Sequence, residues 1–338
     1  MSKVVKKNTE KGYTQLISDL GTLLEKARKD AYVKINQVLV ETYWKIGRKI
    51  VEFEQKGKEK AEYGSGLLDN LSLDLTNKYG KGFSRDNLEK MRKFYLFFPN
   101  SATLSRKLSW SHYCLIMRIE DNLARSFYIK EVEAERWSVR ELDRQINSQL
   151  FERVALSKDK KNVLVLSRKG QIIENPEDLI KDPYILEFLN LEELSSYTET
   201  DLEKGIIKNL EKFLLELGKG FTFVARQQRI TLEDDHFYID LVFYNRILRC
   251  FVLVELKIGK LTHKDLGQLQ MYVNYYNRKI KSDDENPTIG ILLCADKKEA
   301  IVKYTLPESN KQIFASKYKL YLPDKKELEE KVKEVLKS

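Results

Sequence analysis

The chain has 338 residues, 42% hydrophobic and 33% charged. That length suits two domains, and the apolar share excludes a largely disordered state. The net charge of +9 is unevenly placed: residues 1–160 hold 31 Lys and Arg against 22 Asp and Glu, while residues 161–338 hold 29 of each. The first half is therefore the candidate for meeting a polyanion. No uncharged apolar run approaches the roughly 18 residues that cross a bilayer, and the residues after Met1 are polar, so neither a membrane partner nor a secretory signal is expected. Cys114, Cys250 and Cys294 lie far apart and form no C-x-x-C pair. They point to a reducing, cytoplasmic setting without a disulfide frame or structural zinc. With three histidines in all, any metal is expected to be a hard cation held by carboxylates.

Amphipathic spacing through Val33, Gln37, Val38, Val40, Tyr43, Trp44 and Ile50 predicts a helix over 12–56. A break at Gly64, Ser65 and Gly66 precedes a second helix over 67–79, with Leu67, Leu68, Leu71 and Leu75 on one stripe. Gly80, Lys81 and Gly82 form a short turn, and Ser84 caps a third helix over 85–97, which Pro99 ends. Helix, glycine turn and helix is the spacing of a helix-turn-helix. The third helix offers Arg85, Asn87, Lys90, Arg92 and Lys93 to base edges and phosphates. Further on, a helix ending near Glu135 gives way to Ser138, Val139, Arg140 and Glu141, the spacing of a capping box. The helix it opens carries Arg140, Arg144, Gln145 and Asn147 alongside Leu142, Ile146 and Leu150. A helical hairpin with a basic outer face would look the same. The charge surplus tips the reading towards DNA contact, with RNA as an open alternative.

Residues 156–200 read as a connector in which Val163 to Leu166 suggests a short strand or wing, and Pro176 and Pro183 start turns. From 201 the pattern becomes α/β. A helix over 201–217 turns Leu202, Ile206, Leu210, Phe213 and Leu217 inward, and three antiparallel strands follow over 221–232, 237–244 and 248–256. A helix over 261–278 and a buried strand over 288–295 complete the order αβββαβ. A charged final helix is expected around 325–337.

Asp240 stands on the second strand among Ile239, Leu241, Val242 and Phe243. Glu255 and Lys257 stand on the third among Val252, Leu253, Val254 and Leu256. Alternate residues share a face, so Glu255 and Lys257 project together. Burying such groups costs several kcal/mol each unless they are paired or bind a metal. A structural salt bridge would satisfy an isolated Glu-x-Lys, but a second acid on the neighbouring strand completes the minimum for a hydrolytic Mg2+ (or Mn2+) site. Asp240, Glu255 and the main-chain carbonyl of Leu256 would hold the ion, which acidifies the attacking water. Lys257 would orient that water or stabilise charge developing on the phosphoryl group.

Asp240 followed one hairpin later by Glu255, Leu256 and Lys257 resembles the D…(D/E)-x-K signature of the PD-(D/E)XK nuclease superfamily, with Ile239 where the signature's name has Pro. The surrounding sequence is more specific. Residues 213–224, 237–244, 267–268 and 286–290 resemble the C-terminal nuclease domain of the YhcG-like family. Residues 79–84, 108–112, 137–142 and 144–147 resemble that family's N-terminal winged-helix-like domain. The resemblance spans roughly residues 12–325 and implies a nuclease fold, a DNA substrate and a divalent metal. It carries Asp240, Glu255 and Lys257 onto the three signature positions. Gln268 and Tyr272 form a Q-x-x-x-Y similar to that of RecB-like nucleases, which implies that Gln268 assists the centre. Glu203 is similar in spacing to the helix acid of resolvase-like relatives, with Glu211 and Glu216 as competitors.

These readings give an α+β protein. An all-α, helix-turn-helix and winged-helix-like domain (12–155) is joined by a connector (156–200) to an αβββαβ restriction-endonuclease-like domain with a mixed sheet (201–325). The expected function is a metal-dependent deoxyribonuclease whose basic half docks the substrate. The rival is a DNA-binding regulatory or assembly protein whose nuclease-like domain no longer cuts. Nucleases that cut both strands often pair, so a homodimer stays open.

Overall fold

The computed structural model describes residues 2–55, 66–156, 160–191, 196–322 and 324–337. Among them, no helix is long and apolar enough to cross a membrane. Backbone proximity divides the chain into two units, Met1–Arg125 with Val132–Val139, and Ser126–Glu131 with Arg140–Ser338.

In the first unit, α1 (Ser2–Gln55) starts earlier than predicted and buries Val40, Trp44, Ile50 and Val51 in its final third. The expected break at Gly64 and Ser65 lies outside the described residues. Helices α2 (Leu67–Tyr79) and α3 (Arg85–Phe97) have the bounds read from the sequence. Gly80 (φ 85°) and Gly82 (φ 118°) turn the chain between them through the left-handed region that glycine enters without strain. The Ser84 hydroxyl accepts the Asn87 amide at 3.3 Å and so caps α3. Leu88, Met91 and Phe94 form the buried stripe of α3. Against it α1 comes so close that a Cβ on Gly47 would lie 1.9 Å from the Met91 carbonyl oxygen. Helices α4 (Trp110–Ile116) and α5 (Asn122–Glu135) follow, and among the described residues of this unit all regular structure is helical.

The second unit takes in part of α5, then α6 (Val139–Asn147) from Arg140, α7 (Leu150–Ala155) and α8 (Lys160–Lys169). Val163 to Leu166, expected as a strand or wing, lies inside α8, where Val163 and Leu166 are buried. A four-residue apolar run fits either element. Here the lysines and arginine flanking it complete a solvated helix with one stripe turned inward.

A six-stranded mixed sheet in the order β1-β6-β5-β4-β3-β2 forms the centre of this unit. The strands β2 (Phe221–Leu232), β3 (Asp235–Asn245) and β4 (Cys250–Lys260) make the expected antiparallel meander. Parallel to β4 lies β5 (Ile289–Asp296), beyond it β6 (Ile313–Lys319), and at the edge β1 (Tyr184–Ile185), which falls in the stretch read as a connector. The predicted helix over 201–217 is two helices, α9 (Glu199–Lys208) and α10 (Leu210–Leu217), divided at Asn209. Their Leu202, Ile206 and Phe213 cover one face of the sheet through Leu241, Phe243, Val254 and Leu256. On the other face α11 (His263–Tyr275) packs Leu266, Leu269, Tyr272 and Val273 on Val242, Leu253 and Leu292. The remaining helices are α12 (Glu299–Thr305), absent from the sequence reading, and α13 (Lys325–Lys337), which matches it.

The boundary expected at 155 differs from this division, because α6 and α7 are tied to the sheet unit by ions. Glu216 of α10 is fully buried, with Arg153 Nη1 of α7 at 2.5 Å and Arg144 Nη1 of α6 at 3.5 Å. The Ile185 amide of β1 donates to the same carboxylate at 2.9 Å, and Lys181 Nζ donates to the Glu216 carbonyl. Burial alone would raise Glu216, but Arg153, Lys181 and Arg144 outweigh it and hold the carboxyl down at about 2.

Candidate active site

The site begins where the sheet forks. The β3–β4 ladder runs from Asn245 opposite Cys250 to Leu241 opposite Val254 and stops there. Beyond that point β3 stays paired with β2 as far as Asp235, while β4 stays paired with β5. Backbone groups at a parting of strands still need partners. Two of them are satisfied by carboxylates: the Asp240 amide donates to Glu255 Oε1 at 3.2 Å, and the Leu256 amide donates to Asp240 Oδ2 at 2.9 Å. The two acids read from the sequence thus converge in one notch, each fixed by the main chain that carries the other.

Their electrostatics are unusual. Burial, with the charges of Glu203 and Glu199 adding to it, pushes Asp240 above the ordinary aspartate range despite hydrogen bonds from Leu256 and Gln227. Burial and the neighbouring Asp240 push Glu255 up to about 9. Among the described residues, neither acid has a lysine or arginine within ion-pair distance, so the structural salt bridge with Lys257 does not form. The Lys257 ammonium lies 3.1 Å from Glu199 Oε1 and 3.7 Å from Asp265 Oδ1. The hydrogen bond to Glu199 raises its pKa and keeps it charged.

Glu203 and Gln268 stand on the helices either side. Glu203, buried on α9, accepts Gln227 Nε2 at 2.7 Å, and the same amide nitrogen donates to Asp240 Oδ1 at 2.9 Å. One side-chain amide therefore joins the helix acid to the strand acid. Gln227 makes this bridge from a left-handed backbone (φ 46°) in the middle of β2, an arrangement of the kind found at functional sites. Of the other two candidates, Glu211 is exposed and Glu216 belongs to the ion cluster described above. Gln268 Nε2 donates to the buried Tyr272 hydroxyl at 2.6 Å, which donates to the Tyr238 carbonyl at 3.3 Å. Gln227, Glu199 and Asp265 are additions that sequence reasoning missed. Glu199 and Asp265 look like ordinary first-turn acids of α9 and α11, and the place of Gln227 depends on cross-strand register.

Among the described residues, no three His, Cys, Asp or Glu side chains group as a metal cluster. Asp240 and Glu255 offer instead two hard oxygen donors without a cation of their own, and that donor set fits a divalent hard cation completed by main-chain carbonyl or water oxygens.

The residues expected to meet nucleic acid fare differently. Arg85 pairs with Asp69 at 3.0 Å, Lys90 with Asp86 at 2.5 Å and Lys93 with Glu89 at 3.8 Å, all on the surface. Half-buried Arg92 holds Glu54 at 2.8 Å, Asn87 donates to the Gly82 carbonyl, and Arg140 is exposed. Arg144 is the correction. It binds Glu187 at 3.1 Å, the Ile185 carbonyl at 3.2 Å and Glu216, and only 14% of its side chain is exposed. Its side of α6 meets the sheet unit, so the guanidinium anchors the fold.

Residues 177–333 match the YhcG PDDEXK nuclease domain, and residues 19–153 match the DUF1016 N-terminal domain. The protein named "Putative nuclease YhcG" from Escherichia coli (strain K12) is 40% identical over 352 aligned positions, covering 95% of this chain and 93% of that one. Among solved structures, a repair endonuclease from Pyrococcus abyssi is 18% identical over 39% of this chain and 50% of that chain, with a TM-score of 0.26. An EndoMS complex with double-stranded DNA is 18% identical over 39% of this chain and 49% of its own, with a TM-score of 0.27. With a relative this similar over nearly its whole length, the chain belongs to the YhcG family of PDDEXK nuclease-domain proteins.

Proposed function

We propose that this protein is a metal-dependent nuclease that hydrolyses DNA phosphodiester bonds at the fork between β3 and β4, in the cytoplasm, with its basic first half docking the substrate. The observation that carries this reading is the pair of converging desolvated acids, Asp240 and Glu255, with no lysine or arginine partner among the described residues. A bound Mg2+ or Mn2+ would neutralise phosphoryl charge and acidify a water molecule there. Asp240, Glu255 and the Leu256 carbonyl are the groups that would hold it.

The chain's own residues supply the rest. Gln227 keeps the Asp240 carboxylate turned into the notch and aligned with Glu203. Lys257, held charged by Glu199, stands two residues beyond Glu255 and presents an ammonium to a phosphoryl oxygen or to the attacking water. Gln268, steadied by Tyr272, closes the α11 side. For docking, Arg85, Lys90, Lys93 and Arg140 can exchange weak surface partners, or water, for phosphates.

The test is a divalent-metal-dependent cleavage assay on linear, circular, branched and single-stranded DNA with the native chain, Asp240→Asn and Lys257→Ala. Loss of cutting by both variants, with binding retained, is the expected result. Equal cutting by all three proteins would remove the assigned site, and binding without cutting by the native chain would favour a regulatory DNA-binding role.

A further inference from the structure

The β2–β3 hairpin continues past the fork as a two-stranded ribbon, and its two faces differ. Gln228 lies opposite Ile239 and Ile230 opposite Phe237. On that face Ile230 and Ile239 are buried in the cluster under α11, and the Phe237 ring packs 6.5 Å from that of Tyr272. The alternate positions pair Arg229 with Tyr238 and Thr231 with His236, and all four are exposed. Strand alternation puts the next rung of this outer face at Asp240, about 7 Å along β3 from Tyr238. An outward row of Asp240, Tyr238 and His236 therefore leads straight out of the notch.

The Tyr238–Arg229 rung is built to meet something. The Tyr238 main chain is tied to α11 through the Tyr272 hydroxyl, while the residue is 48% exposed. Among the described residues, the Arg229 guanidinium has no acidic partner. A fixed aromatic face beside a free guanidinium matches a nucleotide, with the ring for the base and the cation for the phosphate. A base inside a duplex is already stacked on both sides, so only an unpaired one can lie flat on Tyr238.

Resting on the reading of the notch as a nuclease centre, we propose that Tyr238 and Arg229 bind an unpaired nucleotide adjoining the cleaved phosphodiester, so that DNA with single-stranded ends, flaps or gaps is the preferred substrate class. Tyr238 stacks on the base, and Arg229 takes the neighbouring phosphate.

The experiment measures fluorescence anisotropy of the full chain in EDTA with labelled single-stranded DNA, blunt duplex DNA and single-stranded RNA. Native protein is compared with Tyr238→Ala, Tyr238→Phe and Arg229→Ala, each checked for an unchanged thermal melt. Tyr238→Ala is expected to weaken single-stranded DNA binding about tenfold, with Phe restoring it and blunt duplex binding unchanged. Arg229→Ala is expected to weaken single-stranded binding and flatten its salt dependence. Equal binding by Tyr238→Ala and native protein overturns the proposal, as does an equal loss on blunt duplex or a loss confined to RNA. If native protein binds and cuts DNA while the Tyr238 variants behave like it, this rung alone fails. If native protein neither binds nor cuts any DNA, the nuclease reading fails with it.

Discussion

Two acidic regions of the sheet unit withdraw glutamates from water and give them opposite chemistry. Glu216 is surrounded by Arg153, Lys181 and Arg144 and is held at about 2. Glu255 is buried beside Asp240, whose amide donates to it, and is pushed up to about 9. Burial raises both, so the sign of the neighbours decides the outcome. Around Glu216 the chain supplies the positive charge itself, and the cluster joins α6, α7, α10 and β1 into one unit. Around Glu255 the Lys257 ammonium is turned to Glu199 and Asp265, and among the described residues no lysine or arginine pairs with the acid. A buried acid that its own chain neutralises is a structural part. One that has no basic side chain paired with it among the described residues, at an edge where the backbone opens, is a receptor for a cation.

The largest test of this contrast exchanges the two carboxylates' fates. Glu255→Gln mimics the protonated acid of the metal-free protein and removes half of the donor pair. Cutting is expected to fall roughly a thousandfold, about 4 kcal/mol of lost transition-state stabilisation, while the melting temperature of the metal-free protein holds or rises. An unfolded Glu255→Gln protein would make that acid structural and erase the distinction. Glu216→Gln should do the reverse. It leaves Arg153 and Lys181 buried without their counter-charge and costs about 3–5 kcal/mol in urea unfolding, with cleavage per folded molecule unchanged. A variant as stable as the native chain would show that the cations find other partners.

Acid provides a milder form of the second change. The Glu216 pKa is depressed on folding, so its contribution to stability is fully present above the unfolded-state value of about 4.3. That contribution is lost as pH falls from there towards 2. The native melting temperature should drop through this window more steeply than that of Glu216→Gln. Parallel profiles would assign the acid sensitivity to other carboxylates.

The sequence reveals these regions unequally, and for physical reasons. Asp240 and Glu255 stand out because a charge inside an apolar strand demands an explanation wherever the strand ends up. Helices α2 and α3 are marked by local signals, the Gly80 and Gly82 turn and the Ser84 cap, which need no knowledge of the rest of the fold. Arg144 misleads because a basic stripe on an isolated helix does not show whether water or another layer faces it. Val163 to Leu166 misleads because four apolar residues fit either period. The two residues of β1 are too few to leave a pattern, and Gln227 is invisible because its role arises from a left-handed kink opposite Asp240.

The smallest expected effect sharpens the contrast from outside, where charges stay in water. Arg85 is exposed and pairs with exposed Asp69, and Arg140 is exposed with no ion pair among the described residues. If burial is what gives charge its weight in folding, then Arg85→Glu with Arg140→Glu should leave the melting temperature where it was. DNA affinity should still fall, because a phosphate that no arginine neutralises keeps its condensed counterion and forfeits the entropy of releasing it. The slope of log affinity against log salt is expected to flatten by about 0.9 for each of the two positions. The measurement is a salt titration of binding with the double variant and native protein side by side. Superimposable curves would move the docking surface away from these helices, whereas a lowered melting temperature would show that surface charge here carries more of the fold than its exposure implies.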